Sequence, residues 1–244
     1  IDDASIDDFD ITVNLVVACE YYLPEFATVS SGCWSIDLYN TPQASSGTDN
    51  NSIGNMTYYA CGADSTLHPL YSEALIVGWK LGSDLYVYTD NSDDHMGDLL
   101  PASLPAYQRL NARMRALGEI TVTDNTEPVQ GTGYYQTEGY FCTPDSVVHG
   151  RAEYYIPFNQ DTAVVIEKVT LWNESGTTLN EFLVGEGIDW DVEKDSNFDA
   201  GGFDPSRGLI FQYGAGVQTS IYAGLAPYSG QDGSYGGAVL DNPA

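Results

Sequence analysis

Positive charge is what this sequence has least of. It carries 8 Lys plus Arg against 35 Asp plus Glu, for a formal net charge of -27. A polyanion would be repelled over most of such a surface, so nucleic acid is excluded as a partner and anionic lipid headgroups are disfavoured. Histidine is nearly as scarce, with His68, His95 and His149 the only three. No H-E-x-x-H, G-x-S-x-G or C-x-x-C occurs, and the Gly pairs at 201–202 and 236–237 do not lead into helices. Those absences leave no nucleophilic triad, no zinc spacing and no phosphate-binding loop. Long apolar runs are missing too: residues 11–18 and 74–79 fall well short of the roughly 20 residues that cross a bilayer as a helix.

Cysteines are few but even in number: Cys19, Cys33, Cys61 and Cys142. Without metal spacing they predict two disulfides, and hence a secreted chain at the cell surface or beyond. Three pairings are open, with the short Cys19 to Cys33 loop favoured. Asn50, Asn55 and Asn173 stand in N-x-S/T triplets in or beside expected turns, positions suited to surface glycans.

What the sequence does have is β-forming residues and turn punctuation. There are 18 Tyr and 25 Gly, and 43% of the chain is hydrophobic, which excludes wholesale disorder. Short β-branched and aromatic runs lie between Gly, Asn and Asp clusters. They predict strands over 11–18, 35–39, 56–61, 74–80, 85–89, 119–123, 133–141, 152–157, 162–172, 181–191, 209–213 and 219–225. About twelve strands in one chain point to an all-β, antiparallel two-sheet β-sandwich, a single domain over 1–244 with an N-terminal arm of about ten residues.

Three local readings go further. Val165, Glu167, Val169 and Leu171 alternate with Val164, Ile166, Lys168 and Thr170, and a strand apolar on most of both faces is expected mid-sheet. The turn Asn173-Glu174-Ser175-Gly176 after it predicts a hairpin with 181–191. Leu104, Tyr107, Leu110, Met114 and Leu117 recur at helical steps, predicting one short helix that would present Arg109, Arg113 and Arg115.

The surplus of acid draws attention to cations. Asp189, Asp191, Asp195, Asn197, Asp199 and Asp204 recur mostly at steps of two, and Ca²⁺ takes about six to eight oxygens. An EF-hand is rejected, since Ala200 replaces the turn glycine and Ser206 stands where the bidentate Glu belongs. A different calcium loop is the expectation, with His95, beside Asp93 and Asp94, a candidate for a second site.

Glu186-Gly187-Ile188-Asp189-Trp190-Asp191-Val192-Glu193 also resembles the strand motif of the chitinase family of glycoside hydrolases. That resemblance implies an acid at Glu193, tuned by Asp191 and Asp189. Glu186 departs from the motif's aspartate, and only about fifty residues follow Glu193, too few to complete a (β/α)₈ barrel.

A broader likeness rests on residues 70–79, on Ile188-Asp189-Trp190-Asp191 with Gly201-Gly202-Phe203-Asp204, and on 207–213 running to 222–225. Together they are similar to uncharacterised β-sandwich modules of large secreted bacterial surface proteins. The resemblance implies a sandwich fold and a surface location, with no activity. The expected function is therefore a non-enzymatic extracellular structural protein, a subunit of a fibre or coat built from copies of itself and stabilised by Ca²⁺. Its N-terminal arm and the β-prone residues 11–17 that follow would complete a neighbour's sheet, the alternative for 11–17 being a strand within their own sandwich. A carbohydrate-binding adhesion module, using exposed aromatics to stack on glycans, is the alternative, and a chitinase-like hydrolase the second.

Overall fold

The computed structural model describes residues 25–32, 34–44, 56–59, 66–89, 114–125, 133–158, 164–190, 192, 199–214 and 222–226. In chain order the strands are β1 (Phe26–Ser31), β2 (Trp34–Tyr39), β3 (Gln43–Ala44), β4 (Thr57–Tyr59), β5 (Thr66–Leu67), β6 (Leu70–Leu81), β7 (Asp84–Thr89) and β8 (Arg115–Ala116). They continue as β9 (Thr121–Asn125), β10 (Tyr134–Cys142), β11 (Val148–Pro157), β12 (Ile166–Asn173), β13 (Asn180–Trp190), β14 (Asp199–Asp204), β15 (Leu209–Gly214) and β16 (Tyr222–Leu225).

All pairings are antiparallel. The largest sheet has eight strands in the order β13-β6-β3-β2-β4-β5, with β1 beside β2 and β7 beside β6. A second runs β12-β11-β10-β8, with β9 on β10, and a third runs β14-β15-β16. Tight turns join neighbours: Gly32 between β1 and β2 and Gly82 between β6 and β7 both take the left-handed conformation that glycine adopts without steric cost.

Period-two alternation turns one face of each of the two larger sheets toward a common core. Ile36 and Leu38 on β2 and Leu75, Val77 and Trp79 on β6 enter it from the first sheet; Phe141 on β10 and Val148, Tyr154 and Ile156 on β11 enter it from the second. Polar ties cross between them. Tyr88 OH donates to Asp145 Oδ2 at 2.7 Å, Ser31 Oγ to the Pro157 carbonyl at 2.8 Å and Asn40 Nδ2 to the Gly118 carbonyl at 2.9 Å. Backbones also touch: a Cβ at Gly139 would lie 2.4 Å from the Asn40 carbonyl oxygen. The third sheet meets the first where Gln212 Nε2 donates to the Trp190 carbonyl at 2.9 Å.

Several expectations change. No helix occurs among the described residues. Residues 104–113, with Arg109 and Arg113, lie outside them, but Arg115 and Ala116 form β8, paired with Cys142 and Phe141 on β10. Met114 and Ala116 are both buried, on alternate positions as in a strand, so the last turn expected of the helix is extended chain; Leu104, Tyr107 and Leu110 lie outside the described residues. Residues 199–204, expected in a loop, pair with β15 as β14. The expected strand over 11–18 and the N-terminal arm lie outside the described residues.

The largest change concerns β12 and β13, which are not a hairpin. β12 pairs with β11 in the second sheet and β13 with β6 in the first, so the connection over 174–179 arches from one sheet to the other. Asn173 shapes its start, accepting from the Ser175 amide at 3.0 Å and donating through Nδ2 to the Thr177 carbonyl at 2.6 Å. Nor does β12 run mid-sheet. It is the outer strand of its sheet, its outward apolar residues left partly exposed.

Candidate functional site

The arch brings four polar side chains together inside the core. On β6, Glu73 precedes Leu75, Val77 and Trp79 in the inward series; on β13, Glu186 precedes Ile188 and Trp190; on β12, Glu167 lies between Val165 and Val169. Each glutamate interrupts an otherwise apolar face. Across the ladders, Ile188 stands opposite Glu73 and Leu75 opposite Glu186, which makes the two glutamates diagonal neighbours. Glu167 stands directly opposite Tyr154. One carboxylate oxygen from each of Glu73, Glu167 and Glu186 lies within 4.8 Å of the other two.

These groups are shielded and poorly satisfied. Glu73 is buried, and Tyr154 is only 1% exposed. Glu167 and Glu186 are half-buried as whole residues because they occupy outer strands, yet their heads turn inward. Glu73 Oε1 and Oε2, Glu167 Oε1, Glu186 Oε2 and the Tyr154 hydroxyl are all buried with no aligned hydrogen-bond partner. No Lys, Arg or His forms an ion pair with the three carboxylates among the described residues.

Electrostatics follow from that geometry. Burial, reinforced by Glu167 and Glu186, drives the Glu73 carboxyl well above its ordinary range. Glu186 rises for the same two reasons, burial first and the charge of Glu167 second. Burial lifts Glu167 to about 7, held there against the opposing pull of Tyr154 and Glu73. The Tyr154 hydroxyl, opposite Glu167, is pushed up by burial first and then by the three carboxylates.

On the outer face of the second sheet the acids are balanced instead. Glu153 Oε2 meets Lys168 Nζ at 2.8 Å and an Arg151 Nη at 3.0 Å, and Tyr155 OH donates to Glu153 Oε1 at 3.0 Å. Burial raises the Glu153 carboxyl, but Lys168, Tyr155 and Arg151 together outweigh it and hold the carboxyl below its ordinary value. Asp37 shows the reverse balance, since burial there outweighs the hydroxyl donated by Thr28.

Of the acidic residues singled out from sequence, only Asp189, Asp199 and Asp204 fall among the described residues. Asp189 lies on β13, paired with Ser72, and the parity of the strand turns it to the face opposite Glu186. Asp199 and Asp204 stand at the two ends of β14, about 17 Å apart at the usual strand rise, so one ion does not bridge them. Asp204 is already engaged by the turn that follows: its Oδ1 accepts from the Ser206 amide at 2.9 Å and from Ser206 Oγ at 2.6 Å. Those bonds lower its carboxyl, with a smaller contribution from Arg207. Asp191, Glu193, Asp195 and Asn197 lie outside the described residues, as does His95. So do Cys19, Cys33, Cys61, Asn50 and Asn55, while Cys142 is buried at the end of β10 and Asn173 is exposed at the arch. The chitinase motif belongs to strands of a parallel barrel, whereas β13 is antiparallel to β6.

No sequence motif singles out Glu73, Glu167 or Tyr154, and Glu186 enters only as a departure from one. The signal was nonetheless present, as a glutamate at an inward parity in each of three strands. No protein-family model, curated protein or solved structure matches this chain.

Proposed function

We propose that the chain is a single-domain β-sandwich serving outside the cell as a non-enzymatic structural subunit that assembles with copies of itself. The observation that carries this reading is an open apolar edge on β13. Phe182, Leu183 and Val184 are 37%, 70% and 52% exposed, and β13 has no partner on its outer side among the described residues. The outer strand of the other sheet, β12, ends beside it, and its Trp172 shares a cleft with Phe182. Unpaired backbone flanked by apolar side chains is a template for strand addition.

The proposed occupant is residues 11–17 of a second copy, Ile-Thr-Val-Asn-Leu-Val-Val, whose β propensity suits an added strand. A head-to-tail contact of this kind propagates instead of closing, and the net charge of -27 keeps filaments from bundling. Secretion is supported by the even cysteine count without metal spacing. Electron microscopy and sedimentation of the full chain at high concentration test the proposal. Filaments or oligomers lost on deleting residues 1–17 support it, and monomers at every concentration overturn it.

A second reading draws on the same cleft, where Trp172 and Phe182 stand beside Asn173, Thr177 and Thr178. An aromatic platform next to amide and hydroxyl groups is the chemistry that holds a sugar ring. Binding on a glycan array that is lost in Trp172→Ala, in a chain that stays monomeric, would favour this adhesive role.

A further inference from the structure

We infer that Glu73, Glu167 and Glu186, with the hydroxyl of Tyr154 beside them, form an internal calcium site that joins the eight-stranded sheet to the five-stranded one. The inference is independent of self-assembly and concerns different residues from the acidic run at 189–204.

Three observations carry it. The ligand atoms come from both sheets: Glu73 and Glu186 from β6 and β13, Glu167 from β12. Their oxygens converge within 4.8 Å, and oxygens bound to one Ca²⁺ at about 2.3–2.6 Å stand no more than about 5 Å apart. Second, the cluster is rich in acceptors, and its side-chain donors among the described residues are limited to the Tyr154 hydroxyl and protons shared by the glutamates themselves. Four of its carboxylate oxygens are buried and unpartnered, and no cationic side chain pairs with them among the described residues. Third, the Tyr154 hydroxyl, on a residue 1% exposed and directly opposite Glu167, has no well-aligned hydrogen bond and reaches only the Glu167 carboxylate inside the cluster, so it faces the same spot from the neighbouring strand. Buried polar atoms are nearly always satisfied, and four carboxylate oxygens without an aligned partner converging on one point mark room for a cation.

The chemistry of that partner follows from the donors. The set is all oxygen, with no nitrogen or sulfur, and hard oxygen ligands select Ca²⁺, Mg²⁺ or Mn²⁺ over zinc or copper. Three carboxylates can supply up to six oxygens, which meets calcium's demand without water. Magnesium keeps several of its waters, and an enclosed apolar setting provides poorly for them. A divalent ion would also neutralise most of the mutual repulsion of three glutamates within the core.

The test is a titration of the intact chain, first stripped with chelator, with Ca²⁺, Mg²⁺ and Mn²⁺ in separate arms. The expected result is one saturable Ca²⁺ per chain that remains in Asp189→Asn/Asp199→Asn/Asp204→Asn and is lost in Glu73→Gln/Glu186→Gln. Ca²⁺ at a hundredfold excess over Kd should raise the melting temperature by roughly 5–10 °C. Terbium in place of calcium should luminesce on excitation of the protein, and Tyr154→Phe should weaken that emission while the ion still binds. Because Gln replaces each Glu at nearly equal volume and removes repulsion, circular dichroism of the double variant should match the parent and show that lost binding is not lost folding. The inference is overturned if the parent binds no stoichiometric ion and its glutamates share protons alone. It is overturned equally if Mg²⁺ or Mn²⁺ binds where Ca²⁺ does not, or if Ca²⁺ binding survives in Glu73→Gln/Glu186→Gln.

Discussion

Tyr154 and Glu167 face each other across β11 and β12, both turned into the core, yet the tyrosine hydroxyl is left without an aligned hydrogen bond. Tyr88, also buried, differs in one respect: its hydroxyl donates to Asp145 Oδ2 at 2.7 Å. The two phenols should therefore respond differently to removal of one oxygen. Tyr88→Phe should cost about 1.5 kcal/mol, because a bond to a charged acceptor is lost. In chelator, Tyr154→Phe should be neutral or slightly stabilising, because an unsatisfied buried group disappears. Urea denaturation of both variants compares them directly, and equal losses would show that Tyr154 has a partner after all.

The carboxylate cluster predicts a change of sign with calcium. In chelator, Glu73→Gln should melt higher than the parent, by the equivalent of about 1 kcal/mol, since one of three mutually repelling acids is removed from the core. In millimolar Ca²⁺ the order should reverse. Paired thermal melts measure this, and a variant less stable than its parent in both conditions would contradict it.

Glu153 predicts the acid limb of stability. Its carboxyl lies below the ordinary value of 4.5 in the folded chain, so the unfolded chain binds the proton more readily. Stability from this group is therefore fully present above about pH 4.5 and is lost as pH falls through the lowered folded value. The facing groups are Arg151, Lys168, Tyr155, Gln136 and, through Arg151, Glu138. Lys168 is well exposed, which limits the effect by solvent screening. Glu153→Gln should cost about 1 kcal/mol at pH 7, and the cost should shrink as pH falls through the lowered folded value. Denaturation across that range checks it, a pH-independent difference being the adverse result.

Gly139 is a packing test. A methyl group there would lie 2.4 Å from the Asn40 carbonyl oxygen, which is backbone and has little freedom to withdraw. Gly139→Ala should destabilise by about 2–3 kcal/mol, whereas Gly185→Ala, with nothing near its Cβ position, should change stability by under about 1 kcal/mol. If the two cost the same, the close approach of β10 to the end of β2 is wrong.

The β13 edge predicts a solubility effect. Leu183→Lys places a charge on the most exposed of its three apolar residues, which should block strand addition without touching the core. Sedimentation velocity should show the parent self-associating and the variant monomeric, with similar melting temperatures. Unchanged association in the variant would move the interface elsewhere.

Local pattern was enough to reveal an antiparallel β protein. Period-two alternation over 164–171, the turn residues at 173–176 and the surplus of acid each act over a few neighbouring residues, and a sequence displays such effects directly. Parity even assigns Glu167 to the same face as Val169 and Leu171. What parity leaves open is the partner, and only the tertiary structure decided that. The turn at Asn173 serves a hairpin and an arch equally well, because its hydrogen bonds are local in both. The choice is made by distant backbone, β11 for one strand and β6 for the other. It is that choice which draws Glu73, Glu167 and Glu186 together from separated parts of the chain. Within the acidic run at 189–204, closeness in sequence is no measure of closeness in space, since an extended strand holds Asp199 and Asp204 apart, whereas pairing across two sheets closes the distance between residues that sequence separates.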